Sequence, residues 1–234
     1  IDPDPALGHA ANFLYMLTGN RPSALATRAF DVSLILHADH ELNASTFAAR
    51  VSAATLTDIH SAIVGAIGAL KGPLHGGANA EVMKMLLEIG KDAGPDKAVE
   101  VVRGKLARKE KVSGFGHRVY KVEDPRAVHL REGVQRLSVE RGEPKWYAIL
   151  EAVIEAMRPY ARLGIHVNVD FFAGVIYYLN GFPPDLFVPI FAVGRVPGWT
   201  VQVVEQLENN ILIRPLTQYT GPMDLEYVPL DERG

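Results

Sequence analysis

The chain has 234 residues, of which 48% are hydrophobic and 22% charged, with a formal net charge of −3. That length suffices for one large domain or two small ones with a substantial core. The slight negative charge offers no global attraction to nucleic acid or anionic membrane, and the absence of cysteine excludes disulfides, thiolate catalysis and cysteine metal sites.

No apolar run approaches the ~18 residues of a spanning helix, and no secretory signal pattern opens the chain. A cytoplasmic protein with no nucleic-acid or membrane partner is the expectation. The chain starts at Ile1 and not Met, which leaves room for residues upstream. Residues 10–17 form an apolar segment suited to a short helix, and Pro22 suits the start of the next, over 24–36. Leu34-Ile-Leu36 then runs into His37-Ala-Asp-His40-Glu41. Residues 43–54, rich in Ala, Ser and Thr, read as a closely packed helix. A buried helix follows over 59–70, with small residues Ala62, Gly65, Ala66, Gly68 and Ala69 on one side and Lys71-Gly72-Pro73 as its stop. Leu74-His75-Gly76-Gly77-Ala78-Asn79 precedes an amphipathic helix over 81–89. His75 therefore stands at a helix N-terminus, where the dipole favours a neutral imidazole.

One more helix spans 96–109. Then comes Lys111-Val-Ser-Gly-Phe-Gly-His-Arg-Val-Tyr-Lys-Val-Glu-Asp-Pro-Arg126, the densest stretch in the chain. Gly114 and Gly116 permit a positive φ or a close approach to a ligand, His117 projects from that turn, and Asp124-Pro125 reads as N-cap and first helical residue. Helices are expected over 125–141 and over 144–162, the second bent near Pro159. The β-branched run 164–170 is too short to build a sheet and delivers Asp170 to an apolar helix over 171–179. Pro183-Pro184 reads as a hinge, followed by two helices, 185–194 and 198–208, interrupted at Arg195-Val-Pro-Gly, and an extended tail. With no period-2 strands of useful length, the fold class is all-α.

Three ionisable groups share one character. His75, His117 and Asp170 each sit at a turn or helix start beside glycine or asparagine. A carboxylate with two neutral imidazoles can take a proton from carbon next to a carbonyl, stabilise the enolate oxygen and polarise an electrophile. Read singly, each has a plainer role: a helix cap for Asp170, and partly buried histidines bonded to backbone carbonyls. Arg126, Arg195 and Arg214 lie at element ends beside proline, placed for bidentate carboxylate or phosphate recognition or else simply solvated. His37 and His40 share a helical face, but their order does not match a His-Glu-x-x-His metal motif and no third ligand is near, so no metal is expected.

Taken together, these motifs resemble the citrate synthase family, with matching order and spacing over nearly the whole chain. The matching pieces are Leu36-His-Ala-Asp-His-Glu41, Gly72-Pro-Leu-His-Gly-Gly-Ala-Asn79, Gly114-Phe-Gly-His-Arg-Val-Tyr-Lys-Val-Glu-Asp-Pro-Arg126, Asn168-Val-Asp170, Gly194-Arg-Val-Pro-Gly-Trp199 and Ile213-Arg-Pro215. The resemblance implies a multi-helical fold with a large and a small domain, divided as 1–76 (large), 77–183 (small) and 184–234 (return to the large). It implies condensation of acetyl-CoA with oxaloacetate and water to citrate and CoA, with the thioester as substrate and no cofactor. Asp170 would be the base, His75 the enolate donor and His117 the group that protonates the oxaloacetate carbonyl. His40, Arg126, Arg195 and Arg214 would bind the oxaloacetate carboxylates, Arg214 from the partner subunit of a homodimer. Val112, Ser113, Gly114, Phe115, Gly116, Lys121 and Asn168 would contact CoA. Family chains carry a helical segment before the point where this one begins, so the sequence reads as a fragment or processed chain whose 59–70 helix would lose packing partners. A 2-methylcitrate synthase using propionyl-CoA, a citryl-CoA lyase module and a catalytically silent CoA- or dicarboxylate-binding helical subunit are the rival readings.

Overall fold

A computed structural model describes residues 1–90 and 92–233. Among the described residues ten α-helices follow one another: α1 (His9–Thr18), α2 (Ala24–His37), α3 (Ala44–Ala53), α4 (Ile59–Leu70), α5 (Ala78–Ile89), α6 (Gly94–Ala107), α7 (Pro125–Glu140), α8 (Lys145–Met157), α9 (Val169–Leu179) and α10 (Phe187–Glu208). The all-α expectation holds: among the described residues the only β-type pairing is an isolated antiparallel bridge between Phe115 and Val167.

Local chemistry sets half of the starts. Ser23, Asn43, Asp58, Asp124 and Asn168 each accept a first-turn backbone N–H with their side chains, satisfying donors the helix cannot. Pro125 follows Asp124 at the first helical position, where its missing N–H costs nothing.

The expected helix over 144–162 is instead α8 followed by a 3-10 segment, Arg158–Leu163, because Pro159 cannot donate within the helix. The larger correction concerns the two helices expected at 185–194 and 198–208. α10 runs unbroken through Arg195-Val-Pro-Gly with Pro197 inside it. Proline removes one rung of the ladder, but close packing against α2 retains the helix. A Cβ on Gly198 would fall on the Ala38 carbonyl oxygen, and one on Gly194 would lie 3.2 Å from His37 Cβ. Continuity also makes Pro184–Glu208 long and apolar enough, by length and composition, to cross a membrane, which the sequence reading did not anticipate. Its Phe187, Ile190, Phe191, Trp199 and Val203 are nonetheless buried in the protein's own cores.

The described residues form two such cores. The larger gathers residues from α1, α2, α5 to α9 and the start of α10, around Phe30, Phe171, Phe172, Tyr177 and Phe182. Each fully buried aliphatic or phenylalanine side chain contributes about 1.5–3 kcal/mol against exposure. The smaller joins α3, α4 and α10 through Ala49, Ala53, Ala62 and Ala66, whose small side chains let the helices approach, with Leu70, Phe191, Trp199 and Val203 filling the remainder. The sequence reading of α4 as a buried helix is corrected: only Ala62, Ala66 and Leu70, on the side packed against α3 and α10, are buried, while Val64 and Ile67 are exposed.

Candidate active site

His117 and Asp170 are fixed to each other by the backbone. Around the Phe115–Val167 bridge, Gly116 N donates to His166 O at 2.8 Å and Asn168 N to Gly114 O at 2.9 Å. Asn168 then acts twice: Nδ2 donates to Gly116 O at 2.9 Å, and Oδ1 caps α9 by accepting from Asp170 N at 3.1 Å. Gly114 has φ +84°, and a Cβ there would strike the Phe171 ring, so this pairing demands glycine. The sequence reading began α9 at 171, whereas the helix begins at Val169 and carries Asp170 in its first turn.

Asp170 Oδ1 is buried with no hydrogen-bond partner. Burial raises its pKa to about 7, against the opposing pull of the Arg126 and Arg195 charges. Such a carboxylate is a base poised near neutrality.

His117 Nδ1 accepts from the backbone N–H groups of Val119 and Tyr120, both at 3.1 Å. Accepting twice at Nδ1 leaves the proton of the neutral ring on Nε2, free to donate. Burial, aided by Arg126, lowers the His117 pKa. His75 is held the other way round. Its Nε2 lies 2.8 Å from Ser45 Oγ and 3.3 Å from Ser45 N, an N–H that can only donate. Accepting from Ser45 N puts the proton on Nδ1, and the Ser45 hydroxyl, 2.8 Å from both Nε2 and Asn43 Oδ1, then turns its proton to the ring. Ser45 is itself fixed, its Oγ accepting from buried Trp199 Nε1 at 3.2 Å. The His75 pKa is lowered to about 4, by burial first and then by the charges of Arg195 and His40. The expectation of a neutral imidazole holds, with burial and a guanidinium as the causes where the sequence pointed to the helix dipole.

The arginines divide. Arg126 grips Asp124 through two bonds, Nε to Oδ1 at 3.0 Å and a terminal nitrogen to Oδ2 at 2.8 Å. The same carboxylate caps α7 through Arg126 N and accepts from Val169 N at 3.1 Å, tying the starts of α7 and α9 together. Burial pushes the Asp124 pKa up, but its bonds to Arg126 prevail and hold it below the ordinary carboxylate value. Arg195 is buried, donates from Nε to the His37 carbonyl, lies 5.0 Å over the Phe191 ring and keeps one terminal nitrogen unpartnered. Burial lowers its pKa to about 10. Its charge reaches His37, His40, His75 and Asp170 alike, which places these groups in one electrostatic neighbourhood.

His40 packs edge-to-face on His117 at 5.2 Å, and burial with Arg126 lowers its pKa to about 4. Lys121 is exposed, its Nζ donating to His117 O at 3.3 Å. In the Val112–Gly116 loop, Val112 and Gly114 are buried while Ser113, Phe115 and Gly116 are partly open. Arg214 lies exposed beyond α10 and is not among the charges acting on the histidines or Asp170. No group of three His, Cys, Asp or Glu among the described residues could hold a metal ion.

Sequence reading missed the roles of three contributors, having weighed His37 only as a metal neighbour of His40. Ser45 sets the His75 tautomer, Tyr120 lies between His40 and His117, and His37 presents its carbonyl to Arg195 while its ring bonds Tyr177 Oη at 3.0 Å. Only the position of Tyr120 between His117 and Arg126 could have flagged one of them.

Comparison with known proteins shows what the chain as a whole is similar to. Residues 1–216 match the family model described as "Citrate synthase, C-terminal domain". Citrate synthase 2 of Bacillus subtilis is 52% identical over 233 residues, covering all of this chain and 61% of the relative. 2-Methylcitrate synthase 1 of Corynebacterium glutamicum is 48% identical over 238 residues, covering all of this chain and again 61% of the relative. The chain thus spans about three fifths of the length of these curated relatives. Among solved structures, citrate synthase of the thermophilic archaeon Thermoplasma acidophilum, determined as a ternary complex with carboxymethyl coenzyme A and oxaloacetate, superposes with TM-score 0.91 at 36% identity, covering 99% of this chain and 61% of that one.

Proposed function

Because the chain belongs to the citrate synthase family, we propose that its site condenses acetyl-CoA with oxaloacetate and water to give citrate and free CoA. The observation that carries this reading is Asp170, a buried carboxylate with an unpartnered oxygen and a pKa raised to about 7. It takes a methyl proton from the thioester while the Nδ1–H of His75 donates to the developing enolate oxygen. The enolate carbon attacks the ketone carbon of oxaloacetate, and the Nε2–H of His117 is transferred to the oxygen that becomes the hydroxyl. Water then cleaves citryl-CoA, releasing the thiol. Acid–base groups alone supply these steps, so the reading calls for no metal or prosthetic group.

Arg126, Arg195 and His40 bind the two carboxylates, with Arg214 contributed by a second copy in a homodimer. The 112–116 loop, Asn168 and Lys121 receive CoA. Closure of 77–183 over the remainder excludes water from the enolate. The smaller core draws on 1–76 and 184–234 alone, in keeping with that division, whereas the larger one also joins α1, α2 and the start of α10 to 77–183.

The test is thiol release from acetyl-CoA plus oxaloacetate, followed with a chromogenic thiol reagent. Release that depends on both substrates is expected, and none from folded protein would refute the assignment. The 2-methylcitrate synthase relative at 48% identity keeps propionyl-CoA as a second reading. A pocket separates the two acyl groups by only ~1–3 kcal/mol, so the ratio of kcat/KM for the two thioesters decides between them.

A further inference from the structure

Tyr120 fills the space between three groups that the proposed reaction needs for its oxo-acid. Its hydroxyl lies 3.2 Å from His40 Nε2. Its ring stacks on His117 with centroids 4.7 Å apart and planes at 27°, and the Arg126 guanidinium carbon lies 6.0 Å from the ring centre. His40 also meets the same ring edge-to-face at 5.5 Å.

The parts of Tyr120 do separable things. Its backbone N–H helps fix the His117 tautomer, donating to Nδ1 at 3.1 Å. Its ring covers one face of that imidazole. Its hydroxyl does neither and, among the described residues, engages His40 alone. A neutral imidazole has one N–H and one lone pair, so Nε2 cannot serve the phenol and an incoming carboxylate at the same angle. The carboxylate must take over the position the hydroxyl holds.

Resting on the functional reading above, we propose that Tyr120 is a placeholder for an oxo-acid carboxylate: its hydroxyl occupies the His40 position of the free site and is displaced when the dicarboxylate binds. Binding then exchanges one hydrogen bond for another, and part of the intrinsic affinity is spent on displacement. A consequence is that the free site stays ordered, with His40 and His117 held in place before substrate arrives.

Tyr120→Phe removes the hydroxyl while keeping the ring and the backbone N–H. Oxaloacetate affinity, measured by titration calorimetry, should tighten about two- to tenfold, the worth of one net hydrogen bond. The KM for oxaloacetate should fall in step while that for the thioester stays put. Nitrogen-15 spectra of labelled histidine should show the His40 Nε2 signal displaced in the free Phe variant and coincident with wild type once oxaloacetate is bound. Tyr120→Leu, which also strips the stacked ring from His117, should lower kcat and so separates ring from hydroxyl. A competent wild type whose folded Phe variant binds oxaloacetate no tighter, with the His40 signal unmoved, overturns the inference alone. A wild type that neither binds oxaloacetate nor releases thiol removes the functional reading and this inference with it.

Discussion

Replacing Asp124 with alanine is the perturbation whose cost the structure defines best. The carboxylate is almost wholly buried, its side chain only 1% exposed, and accepts four bonds: from Arg126 N, Nε and a terminal nitrogen, and from Val169 N. Truncation deletes the α7 cap, worth about 1 kcal/mol, and strands Arg126, whose side chain is 13% exposed. Breaking a buried pair on one side costs roughly 3–5 kcal/mol, so Asp124→Ala should lose about 4–6 kcal/mol from a total stability on the order of 5–15. Asp124→Asn keeps an oxygen for the cap and should lose about 1–3 kcal/mol, the scale of a charge-assisted bond made neutral. Urea titration followed by tryptophan emission is a fitting assay, because Trp146 lies in the larger core and Trp199 in the smaller. The folded pKa of Asp124 is depressed, so its contribution is present above the unfolded value and fades as pH falls through the folded one. The difference between wild type and Asp124→Ala should therefore narrow below about pH 4. A loss under about 1 kcal/mol at pH 7, or one that does not change with acidification, would refute the view that this carboxylate joins α7 to α9.

Asp170→Asn should reduce turnover by several orders of magnitude while calorimetry finds oxaloacetate binding largely kept; a near-normal rate would remove Asp170 as the base. Because the Asp170 pKa is raised to about 7 and the base must be ionised, kcat/KM should drop as pH falls through that value, and an acid limb near pH 4 would contradict it. Its raised pKa also means that stability contributed by the protonated carboxyl is lost as pH rises through about 7, so Asp170→Asn should melt higher than wild type at pH 8. Ser45→Ala leaves Trp199 Nε1 without its acceptor and should cost about 1–3 kcal/mol, together with a fall in kcat as His75 loses one of its two anchors. Gly198→Ala drives a methyl group onto the Ala38 carbonyl and should destabilise by about 1–3 kcal/mol or more, whereas a neutral result in thermal melts would contradict the close crossing of α10 over α2.

Much of the fold was legible because its signals are local. Asp124-Pro125 marks a helix start through one side-chain oxygen and a missing N–H, and both act within three residues. His75, His117 and Asp170 were legible as ionisable groups beside glycine or asparagine, because a tight turn that presents a side chain demands those neighbours. α10 was misjudged because local proline chemistry argues for a break, while the opposing term, the glycine face against α2, involves a residue pair some 160 positions apart. Ser45 was invisible, and so was the bond between His37 and Tyr177, for a similar reason. A serine in an Ala-, Ser- and Thr-rich helix differs from its neighbours only by what lies across from it, here the imidazole of a residue thirty positions later.

The bridge between Phe115 and Val167, joined by Asp124 N on Val167 O and by Val169 N on Asp124 Oδ2, also makes α7 and α8 a detour that leaves and returns at one locus. The exposed turn around Gly142, between α7 and α8, lies on that excursion, so insertions or deletions in the turn can alter its length without touching the pairing that holds residues 114–117 against 166–170. Tolerance of length variation should therefore be high around residue 142 and abruptly absent at residues 114–117 and 166–170.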